Sequence, residues 1–189
     1  MHRAAWLSMV VVAVACGVRT QAPSSGTPSE LVDIGPDLAP VPFAPGSLAR
    51  TFHAGATLTY RIEPKGKPPV LQTTEFVATT ETGATMRDTT TDLDGTPQGE
   101  EKTATSTWTE LESHAHFPRE GTRIDAATVV VPAGRFEAWR YVLSQTRDGR
   151  VTTTRMWFGK ELPGPPVKLV QGVDGEPVLT MSLVRTERP

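Results

Sequence analysis

"TLTYRI", residues Thr57–Ile62, alternates apolar and polar side chains with a period of two. In an extended chain Leu58, Tyr60 and Ile62 fall on one face, and Thr57, Thr59 and Arg61 on the other. That pattern marks an antiparallel strand with one face on a core and one in water. "VLTMSLV", Val178–Val184, repeats it near the end of the chain, with Leu179, Met181 and Leu183 against Thr180 and Ser182. Between the two, threonine is abundant, as suits long strands with a wet face. Turn signals at "PKGKPP", "LDGTPQG", "RDGR" and "VDGEP" punctuate the run. No segment beyond Phe43 reads as a long helix. The pattern predicts an all-β domain over residues 48–189, an antiparallel meander of about seven to nine strands forming a barrel or an open half-barrel.

The densest apolar stretch is "TVVVPAGRFEAWRYVL", Thr128–Leu143. Pro132-Ala133-Gly134 predicts a tight turn. Beyond it Trp139, Tyr141 and Leu143 share one face, while Phe136, Ala138 and Val142 share the other. A strand apolar on both faces is expected to be covered on both. Trp157 and Phe158 follow in "TRMWFGKELPGPPVKLV", ahead of a Pro/Gly break and a short strand near Val167–Val170. Trp139, Tyr141, Trp157 and Phe158 are read as core, with a ligand-facing pocket as the alternative.

These elements, "VPAGRFEAW", then an aromatic strand, then "PVKLV", resemble a group of bacterial envelope β-proteins that carry a V-P-A-G-x-F-x-A turn and a P-V-K strand. The resemblance covers roughly residues 122–184. It implies a periplasmic, mostly antiparallel fold akin to the half-barrels of lipoprotein carriers, and it transfers no catalytic residue.

The other end of the chain supplies an address. Met1, His2 and Arg3 make a basic start, and "AAWLSMVVVAVA", Ala4–Ala15, is apolar apart from Ser8. As a helix this run spans about 18 Å, short of the ~30 Å hydrocarbon core of a bilayer. It therefore reads as a signal peptide over residues 1–15. "AVAC" resembles the bacterial lipobox, which implies cleavage before Cys16 and lipidation of its sulfur. The alternative is plain secretion with Cys16 as an incidental thiol. Since Cys16 is the only cysteine, no intramolecular disulfide or multi-cysteine metal cluster is open to the chain. Residues 16–47 are rich in proline, glycine and serine and read as a flexible tether, of which "LVDIGPDLAPVPF" can lie along the domain surface.

The net charge of −2 gives no reason to expect nucleic acid as a partner. Hydrolase, phosphate-loop, zincin and dinucleotide signatures are absent from the sequence, and no cofactor is expected. One constellation invites chemistry: if Thr107–Phe117 is a strand, Glu112, His114 and His116 share a face and match a zinc or copper ligand set. The competing reading is a solvated polar row, because Leu111, Ala115 and Phe117 claim the core side.

The expectation is thus a lipid-anchored envelope protein, facing the periplasm from the outer membrane ahead of the inner, or exposed on the cell surface. Its β domain is read as a non-catalytic scaffold or protein-binding module, in contact with the membrane through Cys16 and with an envelope protein. The alternatives are a carrier or sensor for an acyl chain or other apolar ligand, and a metal-dependent hydrolase at Glu112, His114 and His116.

Overall fold

A computed structural model describes residues 30–188. The signal segment, Cys16 and the first part of the expected tether lie outside the described residues.

The fold is all-β: one nine-stranded antiparallel sheet, not closed into a barrel. Helix α1 (Ser47–Thr51) precedes β1 (Thr57–Pro64), β2 (Val70–Thr79), β3 (Gly83–Thr91) and β4 (Lys102–Thr107). Helix α2 (Trp108–Ser113) leads to β5 (Thr122–Val131), β6 (Gly134–Arg147), β7 (Arg150–Gly159), β8 (Lys168–Val173) and β9 (Glu176–Glu187). The order across the sheet is β4-β3-β2-β1-β9-β8-β7-β6-β5. Two meanders therefore meet where β1 pairs with β9, and β4 and β5 are the edges. The connection through α2 must cross from one edge to the other. Curling of the sheet is visible where the β5–β6 turn returns to β9, the Ala133 N–H donating to the Leu183 carbonyl at 3.1 Å.

Tight turns set the register. Asp148-Gly149 and Asp174-Gly175 all take positive φ, as two-residue hairpins on right-twisted strands require. Asp174 also ties neighbouring hairpins together. Its carboxylate accepts the Val151 N–H at 2.8 Å and Arg150 Nε at 3.2 Å, and these bonds, the backbone one first, hold its pKa below the usual aspartate value.

The alternation read from the sequence becomes a continuous row. Val70 pairs with Ile62, Ile62 with Met181, Met181 with Leu169, Leu169 with Met156, Met156 with Tyr141, and Tyr141 with Ile124. Seven strands thus contribute one apolar belt to the inner face of the sheet. As expected, β6 is covered on both faces. Tyr141 is fully buried on the belt side, and Ala138 and Val142 are buried on the other. On that second side Phe136, Leu162 and Val167 close around Gly159, where even a methyl group would sit 3.3 Å from two of them.

Thr107–Phe117 is not the strand on which a ligand set at Glu112, His114 and His116 depends: Thr107 caps α2 instead. Its hydroxyl accepts the Glu110 N–H at 3.2 Å while the Glu110 carboxylate accepts the Thr107 N–H at 2.8 Å. This reciprocal capping box satisfies two otherwise orphaned donors and starts a helix where alternation suggested a strand. The distal part of the tether, residues 31–43, lies along the domain as a strap on the inner face, with Ala39, Val41, Pro42 and Phe43 buried. Its prolines prevent a ladder strand, yet its apolar side chains find the same core as the strands.

Candidate functional site

The aromatic residues singled out in the sequence divide into two pairs. Tyr141 and Phe158 are core: their rings meet edge to face at 5.2 Å, both rest against Phe117, and Phe43 from the strap packs on Phe158 at 5.9 Å. Trp139 and Trp157 are half-buried at the margin of that core. Lys160 Nζ sits 3.8 Å from the centre of the Trp139 ring, and Lys168 Nζ lies 5.8 Å from that of Trp157. Cation–π contact suits rings that keep one face toward water. Tyr141 and Phe158 thus lie within the core, and Trp139 and Trp157 pack against it from the margin.

The strap is held chiefly by polar contacts to the segment after α2. The Ala39 N–H donates to the Phe117 carbonyl at 2.9 Å, and the Arg119 N–H donates to the Asp37 carbonyl at 2.9 Å. The Arg119 guanidinium donates to the carbonyls of Pro36 and Gly35 at 2.8 and 2.9 Å and pairs with Asp33 at 3.0 Å. Tyr141 contributes its hydroxyl to the Pro40 carbonyl at 2.5 Å. Desolvation raises the Tyr141 pKa far above its ordinary value. Of this clamp only Tyr141 is singled out in the sequence, as a core or ligand-facing ring; Arg119 is not. The available signal was the spacing of Leu38, Val41 and Phe43 among prolines, which is too regular in apolar content for a solvated linker.

The second end of the strap side is filled from α1 and α2. Phe52 stacks on Phe76 with ring centres 4.5 Å apart, and Trp108 lies beyond at 6.4 Å, donating its indole N–H to the Thr80 carbonyl at 3.0 Å. Part of the inner face is thus covered by the chain itself. Among the described residues, recesses of about 190 Å³ and about 40 Å³ lie beside this packing. The larger lies at the β3–β4 edge, between Ala78, Ala84 and the threonines around them, with Glu110 at its side. Both are smaller than the ~300–1,000 Å³ typical of small-molecule sites.

The belt changes character along its length. Tyr141 and Met156 are buried, whereas Leu169, Met181, Ile62 and Val70 are half-buried. Tyr60, one position along from Ile62 on the same face, is 6% exposed, and its hydroxyl has no partner among the described residues. Burial raises its pKa far above the ordinary tyrosine value.

Glu112, His114 and His116 do not form a ligand set. Glu112 points back to α1, where its carboxylate accepts the Leu48 N–H at 3.4 Å. His114 is the exposed C-cap of α2, and exposed His116 lines the smaller recess with Glu112. No group of three or more metal-ligating side chains converges among the described residues. Only Glu112 lies on α2, while His114 caps it and His116 follows the turn, so the common face of an extended strand is not formed.

Comparison with known proteins returns no matching family model, no curated protein and no solved structure.

Proposed function

We propose that this chain is a bacterial envelope lipoprotein, anchored to the membrane through lipidated Cys16, whose β domain serves as a non-catalytic protein-binding or scaffold module. The observation that carries the reading is the filling of the inner face by the chain's own strap and crossing segment. A sheet stoppered by Phe43, Phe52, Trp108 and Phe117 presents surface rather than cargo space. The lipobox-like "AVAC" and the signal segment before it support the anchor. The test is phase partitioning of the full chain. Two or more acyl chains give stable attachment, so the parent should enter the detergent phase and Cys16→Ala the aqueous phase. Identical partitioning of the two would remove the anchor.

One observation favours a second reading, a carrier or sensor for an apolar ligand. The belt is half-buried from Leu169 to Val70, and the unpartnered Tyr60 hydroxyl lies on the same face. This reading requires the inner face to accept a ligand on its β1–β2 side. Acyl material released from the purified domain would support it.

A further inference from the structure

We propose that the strap, residues 31–43, is a releasable occupant of a peptide-docking groove, and that the groove takes an extended, proline-containing apolar peptide with a carboxylate for Arg119. This deepens the reading of a protein-binding module and rests on it. The strap precedes β1, and all nine strands pair without it, so lifting it breaks no ladder of the sheet. It is also a unit in itself, closed by reciprocal backbone bonds between Val32 and Val41 at 3.0 and 2.8 Å. A segment outside the sheet ladders can open below the global transition, here at the cost of exposing Ala39, Val41, Pro42 and Phe43.

The groove beneath has the chemistry of a peptide site. Its floor is aromatic, formed by Phe117, Tyr141 and Phe158 against Phe43. Its polar groups read a main chain: the Phe117 carbonyl, the Arg119 N–H and the Tyr141 hydroxyl all bond strap backbone, while the Arg119 guanidinium takes two carbonyls and the Asp33 carboxylate. Aromatic floors with donors aimed at backbone carbonyls are how extended proline-containing peptides are recognised elsewhere. Because most of these bonds go to the strap backbone, an incoming peptide of the same pattern can make them equally well. Ala44-Pro45-Gly46 leads from the strap into α1, and Gly46 takes a positive φ of 75°, a conformation glycine adopts without strain.

The experiment uses the full chain with Cys16→Ala as background. Hydrogen exchange compares the Ala39 amide with the amides of β6 and β7. A labelled synthetic peptide of residues 31–43 is titrated beside a scrambled control. Leu38 and Pro118 form an antiparallel bridge, so their separation suits a disulfide, and Leu38→Cys with Pro118→Cys locks the strap when oxidised. The Ala39 amide should exchange at least tenfold faster than the sheet amides, and tenfold faster again in Arg119→Ala with the sheet unchanged. The peptide should bind the reduced double-cysteine form at least tenfold more tightly than the oxidised one. If Ala39 exchanges only together with β6 and β7 in both parent and Arg119→Ala, the strap does not release and the proposal falls, whether or not the double variant folds. If the strap opens but the peptide binds no better than its scrambled control, the groove is not a peptide site. Neither result bears on the Cys16 anchor, which phase partitioning decides separately.

Discussion

The apolar belt is covered unevenly along its length. At Tyr141 and Met156 it lies under the strap and the segment after α2, with rings packed edge to face and a tyrosine hydroxyl satisfied by Pro40. At Ile62 and Val70 the same row is half-buried, and the tyrosine beside it, Tyr60, has a buried hydroxyl without a partner. Strand pattern is the same in both parts. What differs is the cover, and the cover comes from residues with no strand pattern at all. Alternation decides which side chains face inward; the irregular segments decide how deeply they are buried.

The largest expected effect tests that difference directly. Phe158→Ala removes a ring packed against Phe43, Phe117 and Tyr141, and should cost about 3–5 kcal/mol in denaturant unfolding. Ile62→Ala, on the half-buried end, should cost about 1–2 kcal/mol, below the range for fully buried isoleucine because less contact is lost. Trp139→Ala should fall between them. Equal losses at Phe158 and Ile62 would erase the contrast.

The tyrosines sharpen it further. Tyr60 and Tyr141 are the only tyrosines in the chain, and burial raises both pKa values in the folded state. A group that holds its proton more tightly when folded stabilises the fold below its unfolded pKa, near 10, and that stability is lost as pH rises through and above it. Tyrosinate absorbance should therefore stay low until the chain unfolds, then rise in one step with loss of the β-sheet circular dichroism. A normal titration near pH 10 in the folded protein would show that one ring is open to water. The smallest effect separates the two hydroxyls. Tyr141→Phe should cost about 0.5–1.5 kcal/mol, since it orphans the Pro40 carbonyl. Tyr60→Phe, which removes a buried hydroxyl without a partner, should be neutral or slightly stabilising.

Legibility in the sequence follows the same division. Thr57–Ile62 and Val178–Val184 declared their faces through alternation, and the Asp-Gly turns at 148–149 and 174–175 declared their hairpins, because both signals are local. Residues 31–43 read as tether because proline argues against a ladder strand, while their apolar side chains allow the segment to lie along the domain. Thr107–Phe117 offers a shared face for Glu112, His114 and His116 only if it is extended. The sequence "TWTE", Thr107–Glu110, carries the capping signal that started a helix there, and a six-residue helix is too short for its own periodicity to compete. With the strand went the shared face of Glu112, His114 and His116. Arg119 was invisible as a clamp because its partners lie over 80 residues away in the chain.

The central claim, that the inner face is filled by the chain itself and not by cargo, is tested most directly by native mass spectrometry of the Cys16→Ala protein isolated from the cell envelope. Without its own lipid the protein should appear at the mass of the polypeptide alone, and extraction should release no acyl compound. A stoichiometric bound lipid, lost on Ile62→Asp and retained on Arg119→Ala, would contradict the account and place a carrier site on the half-buried end of the belt.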